Sequence, residues 1–219
     1  MHINVNIRTP IARESETDFV VQMLVDILAP GEFASSGEAQ EDDDDVEFLV
    51  GRIWAERLDW MYAEECGHPV VSVCDATSGT WMQVLETLTR NGGRNFRKDL
   101  NLDNYINDVV FAHEILIHPE VIDRLAIVDA AMRGISGENS LVLTYHDQSE
   151  PHHLEDWEYR DLGFKKIARS NLLLKDNHFR YPFGDSYRSG RNANFRATAE
   201  HENWILENWE SLITDHPSL

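Results

Sequence analysis

Two periods of hydrophobic residues run through this chain, and together they predict an alternation of strands and helices. In HINVNIR, Ile3, Val5 and Ile7 share one side, the period-two pattern of a first strand. The next segment places Phe19, Val20, Met23, Leu24, Ile27 and Leu28 at helical spacing, with Ser15 or Thr17 as a cap and Pro30-Gly31 as a stop. A second helix is expected where Val46, Leu49, Val50, Ile53, Trp54, Arg57, Leu58 and Met61 line one face. GHPVVSVCDATSG reads as a strand ended by Gly79. TWMQVLETLTRNGG fits a short helix through Trp81, Val84, Leu85 and Leu88, and fits a strand less well.

The clearest strand is DVVFAHEILIHPE. Strict alternation puts Val109, Phe111, His113, Ile115 and Ile117 on one side and Val110, Ala112, Glu114, Leu116 and His118 on the other. Pro119 ends it, and a helix is expected from about Glu120, with Val121, Ile122, Leu125, Val128, Met132 and Ile135 buried. SLVLTYHD predicts a strand, HHLEDWEYRDLG a short helix and FKKIARSNLLLKD a further strand. The last forty residues combine an arginine-rich loop with a helix carrying Trp204, Ile205, Trp209, Leu212 and Ile213.

Charge changes this picture. Over 219 residues, 19 Lys and Arg face 39 Asp and Glu, a formal net charge of −20. Such a surface repels a phosphate backbone or an anionic membrane and attracts basic partners. The run Glu41 to Asp45 precedes the second expected helix, where acids favour the positive end of the helix dipole. Arg90, Arg94, Arg97 and Lys98 form a basic cluster, which reads as a solvated loop, a counterweight to the acidic N-terminal region or a phosphate contact. Two cysteines at no metal or redox spacing, no long apolar run and no signal-like N-terminus predict a cytoplasmic protein. His113 and His118 do not form a metal pair, since they sit five apart on a strand, whereas His146, Asp147, His152 and His153 gather in one loop; no metal is expected.

Two stretches, EILIHPE running into a helix and YRDLGFKKI, complete the pattern. With them, the element order over residues 1–185 resembles the GNAT superfamily of N-acetyltransferases. The first stretch is similar to that family's fourth strand entering its acyl-CoA-binding helix, and the second to its Tyr-x-x-Leu-Gly-Phe before the sixth strand. The resemblance implies an α/β domain, a mixed central sheet flanked by helices, with residues 186–219 as a C-terminal helical extension. Gly163 would end the short helix in the left-handed conformation that glycine readily takes.

The resemblance also implies a chemistry. Acetyl transfer needs a deprotonated amine and a proton for the departing thiolate. Glu114 stands where the family has its base and Tyr159 where it has its acid. Acetyl-CoA would meet Ile117, Arg124, Leu125, Ala126 and Ile127. Leu125 and Ile127 occupy positions that are small in the family, and Arg124 is the helpful basic group. Two functions follow. One is an N-acyltransferase acting on an amine. The other is a catalytically inactive GNAT-derived binding protein, a virion component or inhibitor that presents acidic surface to a basic protein. Its aromatic C-terminal helix would suit packing on the domain or on another copy.

Overall fold

The computed structural model describes residues 2–10, 12–30, 47–93, 95–102, 106–119, 121, 123–137, 139–146, 154–177, 207–209 and 211. The chain opens with β1 (His2–Arg8), β2 (Val20–Pro30) and β3 (Glu47–Leu58), then three helices, α1 (Trp60–Glu65), α2 (Val70–Thr77) and α3 (Gly79–Leu88). A small hairpin of β4 (Thr89–Arg90) and β5 (Asn95–Phe96) leads to β6 (Asp108–Ile117). Then follow α4 (Arg124–Ile135), β7 (Ser140–Tyr145), α5 (Asp156–Asp161), β8 (Lys165–Lys166) and β9 (Leu172–Asp176). Among the described residues, seven strands join one sheet in the order β1-β2-β3-β6-β7-β9-β8, antiparallel except for the parallel pair β6–β7.

Several expected elements differ. The two helices expected after β1 are the long strands β2 and β3. Ser15 does start a turn, with its backbone N–H donating to Asp18 Oδ2 at 2.8 Å, but that turn lasts only from Glu16 to Phe19. Beyond it Val21, Met23, Val25, Ile27 and Ala29 are buried in alternation, and burial at period two selects a strand. The acidic run lies outside the described residues, and no helix follows it for its charge to cap. The strand expected at residues 67–79 is instead α2, whose buried Val70, Val73 and Cys74 are spaced i, i+3, i+4. The ambiguous segment is helical as α3, begun by Ser78, whose Oγ accepts from the Trp81 backbone N–H.

FKKIARSNLLLKD makes two strands, because Arg169 takes a left-handed φ of 63° and turns β8 back onto β9. α4 begins at Arg124, later than expected, after Asp123 at φ 57°. Gly163 has φ 89° and ends the α5 region as predicted, and Phe164 then enters the core. Of the expected C-terminal helix, Glu207, Asn208, Trp209 and Ser211 are described and helical, with the Trp209 ring 5.1 Å from His118; Trp204, Ile205, Leu212 and Ile213 lie outside the described residues.

The sheet is covered on both faces. One core packs α4 and α5 against Met23, Val25, Ile53, Val110, Ile115 and Val142. The other packs α1, α2 and α3 against Leu58, Val109, Phe111, Leu141 and Leu143. No helix among the described residues is long and apolar enough to cross a membrane.

Candidate functional site

The alternation along β6 breaks in the middle. Trp54 of β3 pairs with Glu114 and Ala55 with Ala112, so His113 is an extra residue, a β-bulge. The bulge reverses the expected faces beyond it. Val110 and Ala112 share the α4 side with Ile115 and Ile117, whereas the register keeps Glu114 with Trp54 on the other side. At the same level β6 parts from β7. Their parallel pairing ends at Ala112 opposite Thr144, and β6 continues to Ile117 against β3 while β7 stops at Tyr145.

His113 is the centre of a polar and aromatic cluster at this point. Its Nε2 lies 3.0 Å from Glu56 Oε2, the Trp54 ring stacks on it at 4.1 Å and 18°, and Phe111 meets it edge-on at 4.8 Å. The indole N–H of the fully buried Trp81 donates to the same Glu56 oxygen at 2.8 Å. Burial disfavours the Glu56 carboxylate, but hydrogen bonds from His113, Trp81 and Gln22 and the attraction of His113 outweigh it, so its pKa lies below the ordinary value. Tyr145 packs its edge on Phe111 and donates to Thr80 Oγ1 at 3.4 Å, which ties the end of β7 to the start of α3. A carboxylate that holds one imidazole nitrogen orients the ring and leaves the other nitrogen to meet a substrate, which is the arrangement of a general base.

Glu56 escapes sequence reasoning because its partnership with His113 spans the register of two strands, one of which reads as a helix. The residues expected at the site are divided. Glu114 is half-buried beside Trp54. Tyr159 is on the opposite side of the sheet, in the α4–α5 core, edge-on to Phe164 at 5.6 Å and hydrogen-bonded to the Thr144 side chain. Burial raises its phenol far above the ordinary value. The fold therefore places these two side chains on different faces.

The turn from β6 into α4 holds the remaining expected residues. Ile117 and Leu125 are buried in the α4-side core and Ile127 packs against it, so their bulk points inward. Ala126 is half-buried. Arg124 Nη2 lies 2.5 Å from Glu158 Oε1, and the Glu158 side chain is only 1% exposed. The second Glu158 oxygen accepts the Glu155 backbone N–H at 2.9 Å.

Elsewhere, Arg97 binds Asp99 through two nitrogens at 3.2 and 2.6 Å, and Arg90 approaches the same carboxylate at 3.8 Å, so Asp99 neutralises part of the basic cluster. Arg94 lies outside the described residues. His146 Nε2 contacts Asp156 Oδ1 at 2.5 Å, while Asp147, His152 and His153 lie outside the described residues. No group of three or more metal-ligating side chains gathers among the described residues.

No protein-family model matches the chain, and no curated protein or solved structure matches it.

Proposed function

We propose that this chain is a GNAT-like protein that works by binding a basic protein partner rather than by transferring an acyl group from acetyl-CoA. The likeness of fold is supported by chain order within the large sheet. EILI ends its fourth strand, β6, ahead of α4, and YRDLGF precedes its sixth, β8. The three helices between β3 and β6 depart from the expected order, in which helices follow the first strand. Of residues 186–219, the described Glu207, Asn208, Trp209 and Ser211 are helical, with Trp209 against His118, which supports a helical extension there.

The observation that carries the binding reading is the Arg124–Glu158 pair. A pyrophosphate at the start of a helix needs free backbone N–H groups and positive charge. Here the guanidinium in the first turn of α4 is already neutralised by a buried carboxylate, and Asp123 adds a second negative charge at the cap. Acetyl-CoA does not suit this turn. A chain of net charge −20 instead favours a cationic protein surface, as an acidic inhibitor or a virion component would.

One observation favours the second reading, an N-acyltransferase. The His113–Glu56 pair and Glu114 stand together where β6 and β7 part, and they form a proton-accepting group suited to an amine. Calorimetric titration of acetyl-CoA, with coenzyme A as control, separates the two. The binding reading expects no heat at about 1 mM ligand, whereas a dissociation constant of about 1 µM would overturn it. Affinity capture on the intact protein then tests the partner, whose binding should weaken steeply with salt.

A further inference from the structure

The two edges of the seven-stranded sheet are built differently. β8, at one edge, is two residues long and consists of Lys165 and Lys166, both exposed. Short length and lysine are the ordinary means by which a sheet edge avoids pairing with another chain. β1, at the other edge, has none of these guards. It runs for seven residues, contains neither proline nor lysine, and pairs with β2 from His2 to Arg8 without a register shift, while the β2–β3 and β3–β6 ladders are both interrupted. Among the described residues no strand lies outside it. It also contains no carboxylate, in a chain with 39 of them.

We propose that β1 is the contact through which two copies of this chain associate, each adding its β1 antiparallel to the other's so that the two sheets become one. The sequence of the strand is self-complementary about Val5. With the two-fold axis there, Ile3 faces Ile7 of the second copy, and Asn4 faces its Asn6. Ile3 and Val5 are half-buried on the α4 side of the sheet, whereas Ile7 on the same side is 49% exposed, one of the few large hydrophobic residues so exposed among those described. Cross-strand contact with Ile3 of the second copy would cover it. The facing asparagines can exchange side-chain hydrogen bonds on the other side. No acid meets an acid across the seam, although the two bodies repel each other at −20 apiece.

This geometry makes two unusual demands. Because the bodies repel and the seam has no opposite charges to pair, Arg8 facing His2 of the second copy, association should strengthen with added salt, the reverse of a complementary-charge contact. The register should also respond to charge placed at facing positions. Asn4→Lys with Asn6→Lys sets lysine against lysine twice, even though it makes each copy less negative overall. Asn4→Lys with Asn6→Glu sets lysine against glutamate twice.

The experiment is sedimentation velocity on the full-length chain and these two double variants, across protein concentration at low and high salt, with circular dichroism to verify the fold. The expected result is a reversible monomer–dimer equilibrium in the native chain that tightens with salt. The dissociation constant should be raised about tenfold or more in the lysine–lysine variant relative to the lysine–glutamate variant. A native chain that is monomeric throughout would overturn the proposal. So would a dimer indifferent to both variants, or one that is lost on deleting residues 186–219 while β1 is intact, which would assign the contact to the C-terminal segment.

Discussion

Arg124 and Glu158 meet at 2.5 Å between the first turn of α4 and the middle of α5, and both side chains are almost wholly withdrawn from water. An ion pair so placed contributes little net stability, because each charge has lost its hydration, but either partner alone is costly. Arg124→Met should therefore destabilise the protein by about 3–5 kcal/mol at neutral pH, measured by urea unfolding. Adding Glu158→Gln should restore most of that loss.

The pH dependence of this pair has a definite sign. Burial raises the Glu158 pKa above its ordinary 4.5, with Arg124 opposing it only in part. A raised folded-state pKa means that the folded protein holds this proton more tightly than the unfolded chain. The contribution of Glu158 to stability is then full below 4.5 and declines as pH rises through the folded value. The deficit of Arg124→Met relative to the double variant should accordingly shrink as the solution is acidified through that window. A gap independent of pH would remove Glu158 as its source.

Glu56 carries the opposite sign. Its folded pKa lies below 4.5, since the hydrogen bonds from His113, Trp81 and Gln22 outweigh burial. Its contribution is present above 4.5 and is lost as pH falls through the folded value. Glu56→Gln should cost about 2 kcal/mol near neutrality and progressively less in acid. The same variant should broaden the indole signal of Trp81 in proton NMR, because that N–H loses its charged acceptor.

The strands that escaped the sequence reading are those whose second face is also partly apolar. β2 carries Leu24 and Leu28 between its buried residues, so period two is blurred and a helical spacing emerges from the same letters. In β3 the helical spacing joins Trp54, which faces away from the α4 core, to Arg57, which pairs with Val21 and Val110 on the α4 face, so the pattern mixes the two sides of the strand. In α2 the error ran the other way. Val70, Val71 and Val73 favour a strand locally, and packing against Phe19 of the Glu16–Phe19 turn and Trp81 of α3 overrides them. Elements with one dominant period, β6, α4, β7 and the α5–Gly163 turn, were legible. Their relation to the site was less so, because the bulge at His113 reverses the faces downstream and no local pattern announces it.

Two glycines should fail on substitution for different reasons. A Cβ on Gly51 would lie 2.8 Å from Ile117 Cδ1, 2.9 Å from Ile27 Cδ1 and 3.1 Å from the Leu116 carbonyl oxygen. Gly51→Ala should cost about 1–3 kcal/mol through overpacking where β3 meets β2 and β6. Gly163 has open space around it but a φ of 89°, so Gly163→Ala should cost about 1–2 kcal/mol through backbone strain alone. Replacing Gly163 with Asn, which tolerates the left-handed region better, should recover part of that loss, whereas Gly51→Asn should be worse than Gly51→Ala. Thermal unfolding of the four variants separates the two causes.

The two cysteines offer a direct check on the α1–α2 packing. Cys66 is exposed after α1, whereas Cys74 is buried in α2 among Val70, Val73 and Trp81, and burial pushes its thiol up to about 12. The thiolate is the reactive form, so at pH 8 Cys74 is both covered and protonated. A disulfide reagent should label one thiol per chain quickly in the native protein, and Cys66→Ser should abolish that phase. The second thiol should react only at the rate at which α2 opens, and should become as fast as the first in denaturant. Rapid labelling of both thiols in the native state would mean that α2 does not bury Cys74, and the helix that replaced the expected strand would have to be reassigned.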